Sequence, residues 1–134
     1  MMRLAPILLL ALACAASATQ SIAKIDLARD NGKGKPGVAV KAFSAGDNPI
    51  HFVAHISEIR AAAPYSADLI AVKAGHSTNF KIATATVVAL PGLDHVDFKF
   101  SLPRAWPAGS YRLEIRAGKR VVKDQTFEIR ASGS

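Results

Sequence analysis

The sequence predicts an all-β fold, an antiparallel sandwich of about seven to eight strands. Three observations carry this. Apolar and polar residues alternate in segments of strand length, and Gly, Pro and Asn clusters separate those segments at regular spacing. No segment of helical length has apolar residues at i, i+3, i+4 and i+7; the one candidate, 57–63, is too short and ends at Pro64. The third observation is the stretch 95–117, HVDFKFSLPRAWPAGSYRLEIRA. There Val96, Phe98, Phe100 and Leu102 alternate with His95, Asp97, Lys99 and Ser101, the pattern of a strand with one buried face. A corner with two prolines follows, and then Tyr111, Leu113 and Ile115 alternate with Arg112, Glu114 and Arg116.

Residues 1–18 read as an export signal and stand apart from the fold. Arg3 supplies the positive end, residues 4–13 are an apolar run, and Ala16-Ser17-Ala18 is a small-x-small cleavage pattern with the cut after Ala18. The run falls short of the about 20 residues that span a bilayer. A second reading makes Cys14 the lipidated cysteine of a lipoprotein, although Ala11 stands where a larger aliphatic residue is usual. Cleavage after Ala18 leaves 116 of the 134 residues as one domain, 19–134, periplasmic or secreted. That chain has no cysteine, so it has neither a disulfide, nor a thiolate metal site, nor a cysteine nucleophile. Its apolar core alone has to hold it together.

In chain order, 21–28 is a short first strand with Ile25 and Leu27 flanking Asp26. Residues 29–36, RDNGKGKP, form a loop whose Asn31-Gly32 is a turn dipeptide and whose tip carries Lys33 and Lys35. A second short strand, 37–43, precedes the turn SAGDNP. Residues 50–58 alternate Ile50, Phe52, Ala54 and Ile56 against His51, Val53 and His55, which places the histidines on the outer side. After a loop through Ser66, 67–74 is apolar on both faces and reads as a central strand covered on both sides. Gly75-His76-Ser77 turns the chain into 80–90, rich in β-branched residues, and Pro91-Gly92-Leu93-Asp94 leads into 95–102. Gly118-Lys119 is a hairpin turn, and in the last strand the apolar parity slips between Val122 and Phe127, the mark of a bulge.

Gly109-Ser110-Tyr111-Arg112-Leu113 resembles the segment that opens strand F of an immunoglobulin-type domain, Gly-x-Tyr-x-Cys. The resemblance implies an immunoglobulin-like antiparallel β-sandwich in which the Tyr111 hydroxyl ties down the preceding corner. It letters 95–102 as strand E, 110–117 as F, 120–130 as G, 66–74 as C and 50–58 as B, with the two leading strands as a split A. Leu113 stands at the cysteine position and strand C has no tryptophan, so the likeness is to the broader sandwich class, which includes many exported bacterial modules. Trp106, between Pro103 and Pro107, reads as a plug for the open end of the sandwich rather than an exposed anchor.

Of 17 basic residues only Arg3 lies in the signal, so 16 remain against 10 acidic, a formal balance of +6. A basic exported domain is drawn to an acidic envelope protein or an anionic cell-surface polymer, and export excludes nucleic acid as the natural partner. The candidate contact residues are Lys33 and Lys35 on the loop, and Arg112, Arg116, Lys119 and Arg120 on the outer face of strands F and G. A second function class follows from strand order, since B and E are antiparallel neighbours in the resembled fold. Their outer faces then bring His55 toward His95 and Asp97, two imidazoles and a carboxylate suited to Zn²⁺ or Cu²⁺. His51, about 13 Å along the strand from His55, is too distant to chelate with it. Catalysis finds less support: no Gly-x-Ser-x-Gly, His-Glu-x-x-His or phosphate-cradling glycine loop occurs, and Ser110 has no evident base. The sequence therefore points to a non-enzymatic exported binding or accessory module of the cell envelope, without a required cofactor. A periplasmic Zn or Cu protein and a small envelope enzyme are the alternatives.

Overall fold

The structure, a computed structural model, describes residues 22–57 and 59–132; the signal, its cut after Ala18 and Cys14 lie outside them. Among the described residues there is no helix, and nine strands follow one another in chain order. They are β1 (Ile22–Asp30), β2 (Pro36–Val40), β3 (Phe43–Ser44), β4 (Ile50–Ile56), β5 (Ala63–Ala74), β6 (Ser77–Ala89), β7 (His95–Phe100), β8 (Gly109–Ala117) and β9 (Arg120–Arg130). One sheet has the order β2-β1-β4-β7 and the other β3-β9-β8-β5-β6. Strands B and E of the expected lettering, β4 and β7, pair antiparallel, as do C with F (β5, β8) and F with G (β8, β9).

The inward parities read from the sequence meet between the sheets. Ile50, Phe52, Ala54 and Ile56 of β4 face Leu69 and Ala71 of β5, Leu113 and Ile115 of β8, and Phe127 and Ile129 of β9 in one core. Phe52 sits at its centre, edge-on to Phe43, Phe100 and Phe127 with ring centroids 5.6, 5.9 and 4.9 Å away. Edge-to-face contact sets the positive rim of one ring against the negative face of the next, so these rings gain more than area burial alone supplies.

The expected corner is present. The Tyr111 hydroxyl donates to the carbonyl of Pro107, four residues back. Trp106 is only 2% exposed, and its backbone N–H donates to the Ala45 carbonyl at 2.9 Å, so it plugs the sandwich end. Gly109 has φ +151°, and a Cβ there would lie 2.2 Å from the Lys73 carbonyl oxygen, so the close approach of β8 to β5 requires glycine. The bulge expected in the last strand is at Val122: Ile115 pairs with Lys123 and Arg116 with Val121, leaving that residue over.

The structure departs from the sequence reading in four places. The second leading strand divides, because Pro36–Val40 folds back on β1 as a hairpin while Phe43, 1% exposed, crosses to lie parallel to β9. Strand β5 starts at Ala63, inside the expected loop; Pro64, which has no N–H to give, is accommodated near the strand's end. Its outer face is half-buried rather than covered, with Ile70 and Val72 partly open to solvent. Strand β6 starts at Ser77, inside the expected turn, and holds Phe80, Thr84, Thr86 and Val88 outward while Ala83, Ala85 and Ala89 pack against the core.

Candidate functional site

The outer face of the first sheet carries most of the chemistry. Asp30 ends β1, and its side chain folds the following loop: Oδ2 accepts the N–H of Gly32 at 2.8 Å and of Gly34 at 3.3 Å. Asn31 does the same one residue on, its Oδ1 accepting from Lys33 N at 2.7 Å and Lys35 N at 3.3 Å, and Asn31 N donates to the Lys35 carbonyl at 2.8 Å. These are the local turns that Asp and Asn make with backbone donors two residues ahead. The loop is therefore held in shape by its own side chains. Lys33 and Lys35 are both exposed on it. Lys99 of β7 lies close by, its Nζ 3.5 Å from where a Cβ on Gly34 would stand.

Under this loop is His51, on the outward parity of β4 but with 0% of its surface exposed. Its Nε2 is 2.7 Å from Asp30 Oδ1 and its Nδ1 is 2.9 Å from Asp97 Oδ2. The ring is thus held between two carboxylates, one at each nitrogen. The bond from His51 is the chief cause that holds the Asp30 carboxyl below its ordinary value; partial burial opposes it, and the Gly32 and Gly34 amides add to it. Sequence reasoning placed His51 on a wet face because alternation reports parity, not what lies over it.

At the other end of the same face, His55 and His95 are directly opposite in the β4–β7 ladder. Each has a carboxylate on one nitrogen, His55 Nε2 at 2.8 Å from Asp26 Oδ2 and His95 Nδ1 at 3.0 Å from Asp94 Oδ1. Asp97 is opposite Val53 and turns to His51, so it does not join them. Among the described residues no group of three or more His, Cys, Asp or Glu side chains is placed to hold a metal ion.

The outer face of the second sheet is a ladder of paired charges. Asp68 Oδ2 accepts from Arg116 Nε at 3.0 Å, Glu114 Oε1 from Arg116 Nη2 at 3.3 Å, and Glu114 Oε2 from Arg112 Nε at 3.0 Å. Burial pushes the Asp68 carboxyl up, but the Thr84 hydroxyl at 2.7 Å, Arg116 and Lys81 together hold it below its ordinary value. Arg112 and Arg116 thus belong to a charge-matched surface, and Lys119 and Arg120 lie at the β8–β9 turn beside it. An open hollow of about 470 Å³ adjoins the ladder, lined by Lys41, Ser110, Thr126, Glu128 and Arg130 among others.

No family model matches the chain, and no curated protein matches it. Among solved structures it is similar to an immunoglobulin-like protein, PA1606 from Pseudomonas aeruginosa, with a TM-score of 0.55 and 15% identity over 86% of this chain and 99% of that one. The fold is immunoglobulin-like. Other matches are β-glucosidases from Listeria innocua (TM-score 0.47, 18% identity) and Bifidobacterium adolescentis (TM-score 0.46, 17% identity). The chain covers 80% and 88% of itself in these comparisons but spans only 16% and 18% of the glucosidase chains. In this immunoglobulin-like sandwich Leu113, at the position where the resemblance expects cysteine, is fully buried in the core.

Proposed function

We propose that this chain is a non-enzymatic binding or accessory module of the cell envelope, periplasmic or secreted. It meets an anionic partner, an acidic envelope protein or an anionic cell-surface polymer, through the tip of the β1–β2 loop. The observation that carries the reading is the loop itself. Five hydrogen bonds within residues 30–35 fix its shape. Lys33 and Lys35 project from it, both exposed, with Lys99 alongside. A pre-shaped loop loses less conformational freedom on binding than a slack one, so more of the attraction between opposite charges remains as affinity. The second basic surface is less suited, since Glu114 and Asp68 already neutralise Arg112 and Arg116.

Co-sedimentation with isolated cell-wall sacculi, read against salt concentration, tests this. Wild-type protein should sediment with the sacculi at low ionic strength and release as salt screens the attraction. Lys33→Glu with Lys35→Glu should abolish the effect, and Arg112→Glu with Arg116→Glu should weaken it much less. Equal loss in the two double variants would show net charge alone at work and end the assignment to the loop.

A further inference from the structure

We infer that His55 and His95 form a two-imidazole site for a divalent transition-metal ion, with Asp26 and Asp94 orienting the rings from behind. The argument starts from register. The two histidines are a directly opposed pair on neighbouring antiparallel strands, which sets their Cβ atoms about 5 Å apart on one face. The backbone keeps this end of the sheet together, because Ile56 N donates to the Asp94 carbonyl at 2.9 Å. Both rings are partly open to solvent, at 37% and 49% of side-chain surface, so an ion can reach them.

The hydrogen bonds then select which nitrogen is available. His55 uses Nε2 to donate to Asp26, which leaves the Nδ1 lone pair; His95 uses Nδ1 to donate to Asp94, which leaves the Nε2 lone pair. A carboxylate on the far nitrogen of each ring is the arrangement that fixes the tautomer and orientation of metal-ligating histidines and raises their basicity. Two such rings side by side on strands are unlike His76, an exposed histidine in the β5–β6 turn. The set differs from the one read in the sequence: Asp97 serves His51, and the carboxylates that matter are Asp26, on β1 beside the His55 strand, and Asp94, next to His95 in the turn. Lys24 Nζ, 3.9 Å from the same Asp26 oxygen, competes for that carboxylate.

Among the described residues no third His, Cys, Asp or Glu is placed to ligate, so these supply two nitrogens and water completes the shell. Imidazole nitrogens suit Cu²⁺, Ni²⁺ and Zn²⁺, and affinity for such a set rises to Cu²⁺. The site is independent of the proposed loop contact, which lies near His51, about 13 Å along β4.

The test is calorimetric titration of the purified, dialysed, tag-free chain with Cu²⁺ alone and with Zn²⁺ alone. One equivalent should bind, Cu²⁺ the tighter, and the Cu²⁺ complex should show electron-spin couplings to two imidazole nitrogens. His55→Ala and His95→Ala should each remove one coupling and most of the affinity. Asp26→Ala should weaken binding by roughly tenfold or more while keeping both couplings. His76→Ala should change nothing. Both rings are solvent-facing, so the alanine variants should keep the wild-type circular dichroism, which verifies that any loss is local. Wild-type binding no tighter than that of the His55→Ala/His95→Ala double variant would overturn the inference, as would equal loss in His76→Ala.

Discussion

Asp30 is a single carboxylate doing two jobs, accepting from the buried His51 through one oxygen and from two loop amides through the other. Its pKa is lowered in the fold from an ordinary value of about 3.8. A carboxyl depressed in this way contributes stability that is fully present above the unfolded value and is lost as pH falls through the folded one, since the unfolded chain binds the proton first. Asp68 and Asp94, also lowered, act in the same direction. Asp30→Asn should therefore lower the melting temperature at neutral pH, and the gap from wild type should close below about pH 3.8. The Gly32 and Gly34 amide resonances of the wild type should titrate together with a midpoint under that value. A gap equally wide at acid and neutral pH would refute the role given to Asp30. Little of this was legible in the sequence. Parity correctly set His51 on the outer side of β4, but its partner Asp30 stands 21 positions earlier at the end of β1, and no local pattern links the two. The Asp30-Asn31-Gly32 run did carry a signal, because Asx side chains ahead of glycines fold loops rather than leave them slack.

Among elements, the corner between β7 and β8 was the most legible, because each requirement falls on one residue within a short span. Tyr111 has to reach a carbonyl four residues back, Gly109 has to pass β5 without a Cβ, and Trp106 has to fill the end. Tyr111→Phe should cost about 1–2 kcal/mol, since it leaves the Pro107 carbonyl without that donor in a part-buried site. Gly109→Ala should cost more, about 3 kcal/mol, because its Cβ would meet the Lys73 carbonyl and Ala74 Cα at 2.2 and 2.6 Å, backbone atoms that move only with β5. Chemical denaturation of the two variants measures both, and the reverse order would contradict the assignment of Gly109 to a steric role. The first-strand region was less legible for a physical reason. Residues 36–44 hold two short pieces that serve different sheets, and at five and two residues neither is long enough for alternation to reveal the change of partner. The metal-site partner was misread for a related reason. Asp97 and Asp26 both stand opposite Val53, one on either side of β4, and only the direction each side chain takes, Asp26 to His55 and Asp97 to His51, separates them.

At the scale of the whole molecule, net charge and sheet edges oppose one another. The chain carries a formal charge of +7, which keeps copies apart at long range. Three of its four sheet edges are blunted: β2 opens with Pro36 after Lys35, β3 has two residues, and β7 alternates His95, Asp97 and Lys99. Strand β6 is the exception. It runs 13 residues at the edge of the larger sheet with no proline and one charge, Lys81, and it holds Phe80 and Val88 more than half exposed. Such an edge offers a row of backbone donors and acceptors to any strand that approaches. In antiparallel self-pairing centred on Thr84, Lys81 would stand opposite Val87 and Phe80 opposite Val88, so no like charges meet. Long-range repulsion is then the main barrier, and salt removes it as the Debye length contracts from about 30 Å at 0.01 M to about 8 Å at 0.15 M. Self-association should therefore rise with ionic strength, the opposite of the salt response expected for an anionic partner. Sedimentation velocity across that salt range measures it, and Val88→Lys, a charge placed on the edge at an exposed position, should suppress it without lowering thermal stability. A sedimentation coefficient that stays monomeric throughout in the wild type would refute the role given to the β6 edge.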